Sequence, residues 1–231
     1  YVPDDDLVDV PEAALWTNPP YWGLEDEEIR KTIRAYYATI SFVDAQVGRL
    51  LHTMDALNLW DNTIVVFWSD HGYNLSHHKQ WMKQSLFEQA SRVPFIVVHP
   101  EQQKRGVASP RTVELLDIYP TLANLCGLKT PATAEGVSLR PLLDDPFVEW
   151  NRPAYSQVWR WQGFPGYSVR TERWRYTEWS GGAKGIELYD HLHDPNELHN
   201  LAEYPAYRPV LEEMQYLLRR QLPDDAWTPK G

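Results

Sequence analysis

The chain is 231 residues long, enough for one substantial core or for a large unit with a small appendage, and 43% of it is hydrophobic. Its 32 acidic against 22 basic side chains leave a formal charge of −10, which argues against a nucleic-acid backbone as partner, since that role needs clustered Lys and Arg to displace counterions. No stretch approaches the roughly 18 consecutive apolar residues that cross a bilayer, and with Cys126 as its only cysteine the chain forms no internal disulfide.

Residues 1–24 are Pro-rich, acidic and aromatic, and are expected as an extended loop wrapped over a surface. The opening YVPDDD is neither a signal peptide nor a Met start, so the expectation is a chain cut at its front. From Glu25 to about Leu59, apolar residues such as Ile29, Ile33, Tyr37, Ile40, Val47 and Leu51 recur at three- and four-residue spacing, which predicts a long amphipathic helix. TIVVFWSD follows, then VPFIVVH at 93–99; both are short β-branched and aromatic runs that read as buried strands of the parallel type. A second helix is predicted from about Thr112 to Cys126, stopped by Gly127. This order means an α/β fold, here over 1–140. After Pro141 the texture changes to short aromatic strands (AYSQVW, GYSVRTERWRYTEW, IELYD) and a closing helix from about Tyr207 to Leu222, a smaller α+β subdomain over 141–231.

In open α/β sheets ligands bind beyond the carboxyl ends of strands, so the segment leaving Trp68 is the place to search. SDHGYNLSHHKQWMK sets a carboxylate and an imidazole, Asp70 and His71, side by side, with Gly72 freeing the backbone to turn. A hard cation wants carboxylate oxygen, and a neighbouring imidazole can complete its shell. His77, His78, Lys79 and Lys83 then concentrate positive or protonatable groups in an acidic protein, a local anion site. An Asp-His turn without metal and a solvated HHK loop remain open alternatives at this point. Asn74-Leu75-Ser76 is a glycosylation sequon, but it lies inside this loop and is read as unmodified. Among the aromatics, Trp159, Trp161, Tyr167 and Trp179 are candidates for sugar platforms or for the packing face of the small sheet.

YYATISFVDAQVGRLL, DNTIVVFWSDHGYNLSHHKQWMK and SRVPFIVVHP together resemble the second half of type I sulfatases, closest to the iduronate-2-sulfatase type. The resemblance continues through RTVELLDIYPTLANLCGL, GVSLRPLL, GYSVRTERWRYTEW and ELYDHLHDPNELHNLA, nearly all of the chain beyond residue 30. It implies an alkaline-phosphatase-like α/β domain, a mixed sheet flanked by helices, with a small C-terminal antiparallel sheet and packed helix. It also implies one Ca²⁺ per active site, with Asp70 and His71 among its ligands, and Lys83 on the sulfate group. By the same resemblance His78 is a catalytic or substrate-contacting histidine, and Trp81 is its aromatic neighbour. Arg170, in GYSVRT, is a candidate for a substrate carboxylate or for a surface ion pair.

The family's formylglycine is made from the Cys of a Cys-x-Pro-x-Arg motif and works with an early Asp-Asp pair; neither is in this sequence. Cys126, in LANLCGL, lacks the Pro and Arg and is expected to pack in the core, while Asp4, Asp5 and Asp6 are expected to be solvated. The implied partners are an N-terminal half of the same sulfatase and a sulfated sugar, such as a uronic acid of glycosaminoglycan or polysaccharide origin. A secreted, periplasmic or lysosomal location is implied as well. Rival readings are a phosphate- or phosphonate-ester hydrolase of the same superfamily, and a non-catalytic binding chain that kept the scaffold.

Overall fold

The computed structural model describes residues 6–16, 23–223 and 226. The long helix is α1, Asp26–Ala56. Its start is set by a capping box, in which the Glu25 backbone N–H donates to Glu28 Oε2 at 3.1 Å and the Glu25 side chain accepts from the Glu28 N–H. Asp26, Glu27 and Glu28 place negative charge at the positive end of the helix dipole. Met54 alone is fully buried on it, while Tyr37, Ile40, Phe42, Val43 and Leu50 are exposed. An apolar stripe of this kind normally faces a core, and among the described residues most of it is uncovered.

β1 (Val65–Trp68) and β4 (Phe95–Val98) fall where parallel strands were expected, yet they pair with each other antiparallel, Val65 opposite Val98 and Trp68 opposite Phe95. Nor are they fully buried, since Phe67, Trp68 and Ile96 are exposed. The connection explains the direction: parallel neighbours need a crossover back to the same end, and between these strands the only helix is the four-residue α2, Glu88–Ser91. The intervening chain instead folds into a ribbon of β2 (Asn74–Leu75) and β3 (Trp81–Met82), joined by a 3-10 turn at His77–Lys79.

The predicted helix at 112–126 divides into a 3-10 turn, Leu115–Asp117, and α3, Ile118–Leu125. Asp117 makes the break, its carboxylate accepting from the Glu114 N–H at 3.0 Å and from the Val137 N–H at 2.8 Å. Cys126 is exposed at the end of α3, not packed in a core, because the buried face of that helix carries Pro120, Thr121 and Ala123. α4, Arg140–Asp144, leads to the small sheet.

That sheet is an antiparallel meander of β5 (Ala154–Arg160), β6 (Phe164–Arg170), β7 (Trp174–Trp179) and β8 (Ile186–Asp190), with α5 (Arg208–Arg219) across one face. Side chains alternate between the faces. Val169, Tyr176 and Leu188 pack with Met214 and Leu218 of α5; Phe164, Trp179 and Tyr189 pack on the other side with Ala14, Leu86 and Phe87. The described part of the opening segment, through Val10, Ala13, Ala14 and Leu15, packs on the C-terminal sheet and includes a 3-10 turn at Glu12–Ala14. It is not simply solvated, because Asp6 is buried. Asp4 and Asp5 lie outside the described residues.

Gly166 is glycine because the Trp179 indole lies on it; a Cβ there would stand 2.3 Å from the ring. Trp179 Nε1–H in turn donates to Glu187 at 2.6 Å, and the Tyr189 hydroxyl donates to the same carboxyl at 3.0 Å. Burial outweighs both hydrogen bonds and raises Glu187 from 4.5 to about 7. The folded state thus favours the protonated acid more than the unfolded chain does, and that advantage is present below pH 4.5 and lost as pH rises through 7. Stability is expected to fall across this window, and Glu187→Gln to flatten the slope, as measured by urea unfolding on either side of it. An unchanged slope would remove Glu187 as its cause.

Candidate functional site

β1 delivers Ser69 to Gly72 at its carboxyl end. Gly72 was expected to serve a sharp turn, but its φ is not left-handed and the constraint is close approach. A Cβ would meet Gln89 O at 2.1 Å and Arg92 O at 2.9 Å. Gly72 N–H donates to Ala90 O and Tyr73 N–H to Gln89 O, both at 2.8 Å, so this loop hangs on the backbone of α2.

His71 Nδ1 is 2.8 Å from the Gly72 carbonyl, which can only accept, so Nδ1 carries the proton and the neutral ring keeps its lone pair on Nε2. Lys83 Nζ donates to that Nε2 at 2.8 Å, and Asp70 Oδ2 stands 3.7 Å from it. The Asp70 side chain is 81% exposed and Lys83 is exposed too. Carboxylate, imidazole lone pair and ammonium therefore meet on an open surface. Asp70 and His71 suit a hard divalent cation in kind, and would supply two of the roughly six to eight ligands that calcium takes.

The remaining sequence candidates lie elsewhere. His78 is only 1% exposed, stacked on Phe87 with ring centroids 3.9 Å apart. Its Nδ1 is 2.9 Å from Asp6 Oδ1, a close contact that lacks the alignment of a hydrogen bond. His77 has its pKa lowered, by burial first and by the neighbouring His78 second. Trp81 is buried in β3 opposite Leu75. Asn74 is buried as well, leaving no space for a glycan on the sequon. Ser76, His78, Lys79 and Met82 all have φ between 49° and 76°, a concentration of left-handed non-glycine residues that only strong surrounding packing sustains. Arg170 does not reach the open surface; its Nε donates to Glu88 Oε2 at 3.3 Å. Among the aromatics Trp179 is fully buried, whereas Trp161 is 74% exposed and stacks on Trp16 at 5.6 Å.

Sequence reasoning missed a buried charge cluster beneath this loop. Glu88 accepts from Arg175 at 2.5 Å, Glu197 accepts from Arg175 at 2.5 Å and from His191 Nε2 at 2.8 Å, and the Glu88 N–H donates to Glu197 Oε2 at 2.7 Å. Burial raises the Glu197 carboxyl, but Arg175 and His191 outweigh it and hold the group at about 2. Glu88, His191 and Glu197 have metal-like spacing. Two guanidiniums already fill the centre, however, so the chemistry there is ion pairing. The available signal was charge inside strands: Arg175, Glu178 and Glu187 interrupt runs that are otherwise mainly aromatic and aliphatic.

A family profile for sulfatases matches residues 9–128, and one described as N-sulphoglucosamine sulphohydrolase, C-terminal, matches residues 76–223. The chain belongs to the sulfatase family. This sulfatase chain is 34% identical to a sulfatase of Formosa agariphila over 93% of its own length and 42% of that protein. It is 34% identical to a delta 4,5-hexuronate-2-O-sulfatase of Bacteroides thetaiotaomicron (87% of this chain, 43% of the relative). With human iduronate 2-sulfatase it shares 33% (73% of this chain, 41% of the relative). It therefore spans less than half the length of these relatives. A solved 2-O GAG sulfatase, 28% identical, covers 95% of this chain and 51% of its own with a TM-score of 0.83. The phosphonate monoester hydrolase of Agrobacterium radiobacter, 27% identical, covers 87% and 44% with a TM-score of 0.72. The sulfatase neighbours bear out the alkaline-phosphatase-like fold expected from the sequence. No helix among the described residues is long and apolar enough to cross a membrane.

Proposed function

We propose that this chain forms the cation- and sulfate-binding side of an enzyme that hydrolyses sulfate esters of sugars, working with an N-terminal half that carries the formylglycine. The observation that carries this reading is the convergence of Lys83 Nζ, His71 Nε2 and Asp70 at the end of β1. Residues 1–140 would belong to the main sulfatase domain and 141–231 to its C-terminal subdomain. The uncovered apolar face of α1 and the exposed Phe67, Trp68 and Ile96 offer that N-terminal half a surface to cover. In the ester, the sulfuryl oxygens carry the negative charge and the sugar oxygen leaves. Lys83 would hold a sulfuryl oxygen through its ammonium, a donor aimed where charge must be balanced. Asp70 and His71 would hold a Ca²⁺ once Lys83 releases His71 Nε2 and turns to the sulfuryl oxygen, and the ion when bound would supply further positive charge against the same oxygens.

His78 and Trp81, buried as they are, would act as the floor that fixes the loop and not as groups touching the sugar. Because Arg170 is engaged by Glu88, a substrate carboxylate would need another cation. Uronic acids sulfated at the 2-position, of glycosaminoglycan or polysaccharide origin, are the proposed substrates, since two of the relatives are named for hexuronate and iduronate 2-sulfates. An exported or lysosomal setting follows from the same kinship. The resemblance to a phosphonate monoester hydrolase supports a second reading, in which the scaffold serves phosphonate esters. The complete protein should hydrolyse an aryl sulfate, lose that activity to a calcium chelator and regain it with added Ca²⁺. Faster hydrolysis of an aryl phosphonate would favour the second reading, and inactivity toward both would favour a binding chain.

A further inference from the structure

The one-turn helix α2 touches both halves of the Lys83–His71 contact. Its carbonyls at Gln89 and Ala90 hold the Tyr73 and Gly72 amides, which fixes the His71 side. Its first residue, Glu88, follows Lys83 by a taut strip in which Ser85 N–H donates to Lys83 O at 2.8 Å and Phe87 N–H to Ser85 Oγ at 3.1 Å. What holds α2 in place comes from the C-terminal sheet. Glu197 accepts the Glu88 N–H at the start of α2, Arg175 joins Glu197 to the Glu88 carboxylate, and Arg170 adds a second cation. Arg160 donates to Gln84 O at 2.7 Å, next to Lys83 itself. Arg175 and Glu197 are both almost wholly buried, so neither can touch a substrate.

We infer that Arg175 and Glu197 are positioning residues, which set the distance between Lys83 and His71 by gripping α2 from the C-terminal sheet. This rests on the sulfatase reading and on the role proposed there for Lys83. Within the cluster two carboxylates face two guanidiniums and the His191 imidazole, and the fork of Arg175 fixes direction as well as charge. Outer-shell groups of this kind typically change affinity or activity by about 10- to 100-fold when altered.

The test is a double-substitution cycle in the complete protein, with an aryl sulfate as substrate and inorganic sulfate binding read by calorimetry. Glu197→Gln keeps shape and removes one charge; it should lower kcat/KM by about 10-fold or more and weaken sulfate binding in parallel. In a Lys83→Ala background the same change should cost clearly less than it does in the parent, because the share of its effect that runs through the Lys83–His71 distance is already gone. If Glu197→Gln does not fold, Arg170→Gln, at the rim of the cluster, carries the same cycle. Losses that multiply in the double variant would overturn the inference while leaving the sulfatase reading intact. A Lys83→Ala protein with normal turnover would overturn both.

Discussion

Lys83→Ala in the complete protein is expected to lower kcat/KM for a sulfate ester by about 10²- to 10³-fold, the loss typical of removing one preorganised donor from a charge-stabilising site. Lys83 is exposed and its ammonium contacts His71 Nε2 at 2.8 Å, so alanine removes a charge without opening a cavity. The fold should survive, and far-UV circular dichroism and unfolding midpoint should match those of the parent. Lys83→Arg should recover only part of the loss, since a planar guanidinium cannot occupy the place of a compact ammonium beside the imidazole. Kinetics indistinguishable from the parent would remove Lys83 from the site, and with it the main support for a sulfate pocket here.

Gly72→Ala is expected to destabilise the protein by about 3 kcal/mol, at the upper end of overpacking effects. The new methyl would stand 2.1 Å from Gln89 O and 2.9 Å from Arg92 O, and both are backbone atoms that cannot swing aside as a side chain does. Relief requires the DHG loop to part from α2, breaking the hydrogen bonds of the Gly72 and Tyr73 amides. Urea unfolding should register the loss, and hydrogen exchange at those two amides should accelerate ahead of the rest. Full stability with slow exchange would mean that the loop does not lie against α2.

Much of the architecture was legible in the chain because local signals were strong. The periodicity and capping residues of α1 are contained in its own sequence, and the helix appears at Asp26–Ala56 against an expectation of 25–59. The strand-bearing runs and closing helix of the small subdomain were likewise visible, since alternating aromatic and β-branched residues between Gly and Pro need one face buried wherever they fold, although the middle run, read as one, divides into β6 and β7. The place of the chemistry was legible too. Asp70 and His71 follow a strand, and Lys83 lies close enough along one loop to return to them.

Strand direction was not legible, because a continuous apolar run has no sense until the path of its connection is known, and β1 and β4 pair antiparallel. Burial of individual polar groups was equally hidden. Asp6 looked like part of a solvated acidic run, and His78 like a loop histidine beside the substrate; the fold brings them together from distant points in the chain and covers both. Cys126 reversed in the other direction, apolar by neighbourhood yet exposed at a helix end.

By itself, then, the sequence determined where α1, the β1 and β4 strands, the small C-terminal sheet and the closing helix lie, which family they belong to, and which loop carries Asp70, His71 and Lys83. Each of these depends on residues near one another in the chain. Tertiary structure alone decided that Glu88, Arg175, His191 and Glu197 form one buried cluster under that loop, and that Arg170 joins it through Glu88. A charged residue in a strand can face water or a partner, and which it does depends on an opposite charge contributed by chain some hundred residues away. Only the packing of the C-terminal sheet against α2 brings those charges within hydrogen-bond reach.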